Sequence, residues 1–262
     1  MSVRKYTALA RTDFLSTAAY LKSFLASKLF LAFVLVIMFS LYRTLYAGRA
    51  SVEGFTLAML LYYVTVTEAV ELSKVRVYQT ISEEIKDGSC AYTLLRPLSY
   101  LSYHYCTSLA KLALNCGLVL AVGVACCFAI TGPDPRAALG IVRALPAVAM
   151  AVNLNFVVMY LIGLLAFDME EVAPVYWIFQ KFVFIAGGLL MPIEFFPGWL
   201  RSAVQYLPTT YIAWFPARVA VQWDASLFLK GLIIQTGYLL LFLGIAELMF
   251  RRGMKRVQVN GG

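Results

Sequence analysis

The sequence predicts an all-α integral membrane protein. It is rich in apolar residues and poor in charge, its apolar residues gather in long blocks, and lysine and arginine collect on one side of those blocks. Hydrophobic residues fill 61% of the 262 positions and charged residues 14%, where a soluble domain averages about 25% charged. Such a chain lacks the polar surface for a water-soluble fold, and lipid is its natural solvent. Crossing roughly 30 Å of hydrocarbon at about 1.5 Å per residue takes about 20 mostly apolar residues. Six blocks qualify as transmembrane helices: residues 24–46, 54–75, 104–130, 139–167, 172–191 and 227–249. Open strands would leave backbone groups unpaired in lipid, and the ten-residue alternation of a barrel strand is missing. A single membrane domain over residues 1–262 is expected.

Positively charged loops tend to stay in the cytoplasm. Arg4, Lys5, Arg11, Lys22 and Lys28 precede or open the first block, Lys74, Arg76, Lys86 and Arg96 follow the second, and Arg251, Arg252, Lys255 and Arg256 follow the sixth. All fall on one side, so both termini are expected in the cytoplasm. The net charge of +8 then reads as topology and lipid-headgroup contact rather than nucleic-acid binding, since no basic patch is interleaved with exposed aromatics.

Before the first span, Tyr6, Leu9, Phe14, Leu21 and Phe24 recur at near-helical spacing with Arg4, Arg11 and Lys22 on another face. This predicts an interfacial helix over about residues 4–23, either an elbow that touches a soluble partner or a plain anchor. The first block is long enough to span and lacks a small-x-small cleavage site, so it is expected to be retained. After the second span comes ISEEIKDGSCAYTLLRPLSY, residues 81–100. A short helix near 79–87 would end at Gly88, and Arg96-Pro97 would break any continuation. Glu83, Glu84 and Asp87 then form an acidic surface, which is either a solvated face or a docking face. Asp168, Glu170 and Glu171 form a tight turn between the fourth and fifth spans.

The stretch GGLLMPIEFFPGWLRSAVQYLPTTYIAWFPARV, residues 187–219, is too apolar for a free loop and too broken by proline for one spanning helix. Breaks at Pro192, Pro197, Pro208 and Pro216 predict a re-entrant or interfacial helical hairpin at the outer face, before the sixth span. Trp199, Leu200, Ala203, Val204 and Leu207 share one helical face within it.

The chemistry of an enzyme is absent from the pattern. The chain has one histidine, His104, and five cysteines, Cys90, Cys106, Cys116, Cys126 and Cys127, without CxxC spacing. No GxxxxGK[ST] phosphate loop occurs, so neither catalysis nor a bound cofactor or metal is expected of this chain. Intramembrane charges are functional candidates by default. Glu68 lies roughly 10 Å up the second span, Lys111 about 10 Å up the third and Lys181 about 13 Å up the fifth. A pairing of Glu68 with Lys111 or Lys181 is therefore expected, as the lining of a cavity or as a structural pair.

The basic interfacial segment, the six blocks, ISEEIKDGSCAYTLLRPLSY after the second, LLMPIEFFPGWL with YLPTTYIAWFPARV before the sixth, and the terminal RRGMKRVQVNGG together resemble the permeases of the type-2 ATP-binding-cassette exporter family, a bacterial branch in particular. The resemblance covers nearly the whole chain. It implies a non-catalytic permease of the bacterial inner membrane, paired with a second and different homologous permease chain. Two ATPase subunits, which hold the ATP and magnesium, would dock beneath the pair. It implies ATPase coupling through Ile81, Glu83, Glu84, Asp87 and Gly88, with Asp168, Glu170 and Glu171 as a second contact. It further implies an outer gate at Pro192, Phe195, Phe196 and Trp199, and an amphipathic or lipid-like cargo: a drug, antibiotic, peptide, lipid or glycan. The intramembrane charges leave an ion-coupled secondary transporter or channel as the alternative. The absence of paired broken helices in corresponding halves argues against it.

Overall fold

The computed structural model describes residues 21–46, 48–95 and 98–260. Most of the expected interfacial helix at 4–23, and Arg96-Pro97, lie outside the described residues. The helices are α1 (Leu21–Tyr46), α2 (Leu57–Leu72), α3 (Val77–Lys86), α4 (Cys90–Leu94), α5 (Tyr100–Thr131), α6 (Pro135–Leu164), α7 (Ala173–Ile185), α8 (Gly198–Val204), α9 (Pro208–Ile212), α10 (Trp214–Val221) and α11 (Ala225–Asn260). Single 3-10 turns follow α6 at Leu165–Phe167 and precede α8 at Ile193–Phe195. Among the described residues no strand forms, only an isolated bridge between Val52 and Phe55.

The helix starts follow side-chain chemistry. Thr56 caps α2 by accepting from the Met59 N–H at 3.2 Å, and Ser99 caps α5 from the Ser102 N–H at 3.2 Å. Asp134 caps α6 through the Arg136 and Ala137 amides, with Pro135 in the first turn. Each oxygen satisfies an amide that the helix itself leaves unpaired. Gly132, at φ +83°, ends α5 in a conformation that side chains resist.

Among the described residues, three helices are long and apolar enough to cross a membrane: Tyr100–Thr131, Pro135–Phe167 and Ala225–Lys255. The expected span at 24–46 lies within the 26 residues of α1, whereas α2 has 16 residues and α7 has 13. The block expected at 54–75 stops at Leu72 and resumes as α3 after a four-residue break at 73–76. The block expected at 172–191 ends at Ile185, because Gly187 and Gly188 follow and Gly188 takes φ +73°.

Helix α6 is the centre of the bundle, packed by α11 along its length, by α10 in its first half and by α3 at its end. Close approach explains the second of these contacts: a side chain on Gly140 would meet the Ala220 carbonyl oxygen at 1.9 Å. Helix α2 lies between α5, α10 and α1, and every residue from Leu60 to Glu71 is buried. Phe33, Val36 and Ile37 of α1 and Leu229, Ile233, Leu240, Leu241 and Leu248 of α11 point outward. In water such rows would be a liability, and an apolar solvent such as lipid suits them. The start of α6 and the end of α10 mark one end of the bundle, and α3 marks the other.

Candidate functional site

At one end, α3 is amphipathic. Val77, Tyr78, Ile81 and Ser82 are buried, while Gln79, Thr80, Glu83, Lys86 and Asp87 form an exposed face. Tyr78 stacks on Tyr176 of α7 with ring centroids 4.4 Å apart. A Cβ on Gly163 of α6 would lie 2.8 Å from the Ile81 Cβ, so glycine is what lets α3 lie against α6. Asp87 ends the helix, donating its amide to the Glu83 carbonyl at 3.0 Å, and its Oδ1 accepts from the Ser89 amide at 2.8 Å. Hydrogen bonds from Ser89, the side chain's first, hold the Asp87 carboxyl below the ordinary aspartate range. Gly88 follows at φ +77°.

The residues expected to couple fall into two groups. Glu83, Asp87 and Gly88, together with Asp168, Glu170 and Glu171, are exposed. The Lys86 Nζ stands 3.9 Å from Glu171 Oε2, so α3 and the turn after α6 form one surface. Ile81 and Glu84 belong elsewhere. Ile81 is 0% exposed and serves to seat the helix. The Glu84 carboxylate turns inward and accepts from the Tyr100 hydroxyl at 2.7 Å.

At the opposite end, the chain after α7 runs through a non-helical stretch whose carbonyls are held by hydroxyls of other helices. The Tyr63 hydroxyl donates to the Gly188 carbonyl at 2.5 Å, Thr67 Oγ1 to Leu189 at 2.7 Å, and Tyr42 to Leu190. The Trp214 amide donates to the Gly187 carbonyl at 3.0 Å, and Gln235 of α11 donates to the carbonyls of Ala147 and Tyr211. Backbone that leaves the helix within apolar surroundings needs such partners, since water cannot serve. Thr67→Val is accordingly expected to destabilise the protein by about 1–3 kcal/mol, with Thr67→Ser much milder. Thermal unfolding of the two variants in detergent would check this.

Beyond the stretch, Glu194 accepts from Arg218 Nε and Trp214 Nε1, both at 2.9 Å. The four gate candidates occupy different surroundings. Pro192 is buried, Phe195 packs edge-on against Phe55 at 5.8 Å, Phe196 is half-buried, and Trp199 is 75% exposed. Tyr42, Tyr63, Thr67, Glu194, Arg218 and Gln235 are the polar residues that organise this end, and sequence reasoning missed them as a set. Hydroxyls standing in an otherwise apolar block were the available signal.

A family model described as ABC-2 family transporter protein matches residues 31–261. The chain belongs to that family. It is therefore the membrane permease of an ATP-binding-cassette transporter, and the family implies an ATPase subunit as its partner. No curated protein matches the chain.

In this ABC-2 permease the intramembrane charges do not meet as the sequence suggested. Glu68 is buried on α2, and among the described residues no ion pair joins it to Lys111 or Lys181. Lys74 pairs with Glu71 and donates to Gln180 Oε1 at 2.7 Å, while Gln180 Nε2 donates back to Glu71. This network ties the end of α2 to α7. The reason Lys181 stays outside it is rotational: one residue turns a helix by about 100°, so Gln180 faces inward and Lys181 outward. Lys181 is exposed beside Trp177, Ile178, Phe182 and Ile185, with Nζ 5.8 Å above the Phe184 ring. Lys111 is half-buried on α5. All five cysteines are free thiols.

Proposed function

We propose that this permease is one half of an ATP-driven exporter of amphipathic or lipid-like cargo in a bacterial cytoplasmic membrane. The chain crosses six times, with α1, α2, α5, α6, α7 and α11 as the spans and both termini in the cytoplasm. Two ATPase subunits, which carry ATP and magnesium, dock beneath it and a second, homologous permease chain. The exposed face of α3 and the 168–171 turn receive them. The observation that carries this reading is the exposed surface that α3, with Glu83, Lys86 and Asp87, forms with the Asp168, Glu170 and Glu171 turn through the Lys86–Glu171 contact, with α3 seated on the central helix α6.

At the far end, the stretch after Gly187 is re-entrant and, with α8 to α10, forms the outer gate. Carbonyls held by hydroxyls from the middle of α2 support that depth. ATP binding favours the outward-open arrangement by contacting the ATPase pair differently in the two states. The test is to purify the tagged permease from its own host in mild detergent, identify its companions by mass spectrometry, and assay ATP hydrolysis. A stoichiometric ATPase subunit with vanadate-sensitive activity is expected. Its reproducible absence, with transport that follows a proton gradient, would move the assignment to ion-coupled secondary transport.

A further inference from the structure

Glu83 and Glu84 are adjacent in sequence, yet they face opposite ways. Glu83 is exposed together with Asp87 one turn on, whereas the Glu84 side chain is only 19% exposed. Its Oε2 accepts from the Tyr100 hydroxyl at 2.7 Å and stands 3.3 Å from His104 Nε2, an ion-pair distance. Tyr100 and His104 are 2% and 3% exposed and lie one turn apart at the start of α5. Tyr100 in turn stacks on Phe250 of α11 with centroids 5.2 Å apart, and its ring lies 6.2 Å from Tyr160 of the central helix α6.

We infer that Glu84 is a positioning residue that pins α3 to the start of α5, and through Tyr100 to α6 and α11, so that a displacement of α3 moves these three helices together. The inference rests on the reading of α3 as the coupling helix. A docking acid must present its charge to the partner, but this carboxylate is spent inside the protein. A hydrogen bond to a charged group is stronger than one between neutral groups and resists pulling in one direction, which is what transmission of a push or pull requires. Packing alone, as at Ile81 beneath Gly163, transmits compression but gives way under tension. The pin therefore gives α3 a two-way attachment to the bundle.

The test uses the permease purified with its ATPase subunit, and compares amide hydrogen exchange over residues 192–212 before and after ATP and vanadate are added. Glu84→Leu and Tyr100→Phe are expected to keep the ATPase subunit at wild-type stoichiometry while the exchange response falls roughly tenfold, the scale of one buried charge-assisted hydrogen bond. Tyr100→Phe retains the ring that stacks on Phe250, so it reports on the pin even where Glu84→Leu fails to fold. Glu84→Gln keeps a carbonyl acceptor for Tyr100 but loses the charge, and its response should fall between those of the wild type and Tyr100→Phe. Loss of the ATPase subunit in Glu84→Gln would make Glu84 a docking acid and overturn the pin, as would an undiminished response in Tyr100→Phe. Failure of the coupling-helix reading has a different signature: Glu83→Lys combined with Asp87→Lys would hold the ATPase subunit as well as the wild type does.

Discussion

Reversing Glu83 and Asp87 together to lysine is expected to detach the ATPase subunit while the permease itself stays folded. Both side chains lie on the exposed face of α3, one turn apart, and both sit at its C-terminal end. The fold has little to lose there. Lysine near a helix C-terminus suits the negative end of the macrodipole, and the main forfeited contact is the solvent-exposed bond that Asp87 accepts from the Ser89 amide. The interface has much more to lose. On the proposed docking face two negative charges become two positive ones, and like-charge contacts across an interface cost several kcal/mol, which is roughly a hundredfold or more in affinity. Co-purification from detergent, with thermal unfolding of the permease as the control, reads both quantities. Wild-type association should also weaken as salt rises, because the contact is solvent-exposed. Undiminished association of the double variant would remove α3 from the docking surface.

The long helices were legible in the sequence because length and apolarity are local properties. The blocks at 104–130, 139–167 and 227–249 reappear as α5, α6 and α11, each extended at one or both ends. Local breaks were legible in part. Proline marked the irregular segment after α7, and Gly187-Gly188 stood in plain view as the reason α7 stops early. The break between α2 and α3 had no such signal, since residues 73–76 contain neither proline nor glycine. Long-range pairings were beyond reach. Glu71 meets Gln180 and Tyr63 meets Gly188 across more than a hundred residues, whereas depth estimates alone suggested Glu68 with Lys111 or Lys181. The opposite orientations of Glu83 and Glu84 sat between these cases. Helical periodicity separates Gln79, Thr80, Glu83 and Asp87 from Val77, Tyr78, Ile81 and Glu84, but reading the three acids as one patch concealed it.

At the other end of the bundle, Arg218→Met is expected to destabilise the protein by about 3 kcal/mol, the low end of the cost of stranding one partner of a buried ion pair. The Glu194 and Arg218 side chains are 11% and 20% exposed, so water relieves part of the loss. The arginine does more than neutralise the acid. It donates Nε to Glu194 at 2.9 Å and Nη1 to the Gln222 carbonyl at 2.8 Å, and it lies 5.7 Å above the Phe55 ring. Gln222 in turn donates to the Gly54 carbonyl at 2.7 Å. One side chain thus fastens the 3-10 turn before α8, the end of α10 and the loop before α2. Glu194→Gln should cost less, because the amide oxygen can still accept from Trp214 or Arg218. The double variant Glu194→Leu with Arg218→Met should cost less than the sum of the singles, since no charge is then left without its partner. Thermal unfolding across that cycle measures the coupling directly. Strict additivity would mean that the pair is a surface contact without structural weight, and that packing of Phe195 on Phe55 holds this end instead.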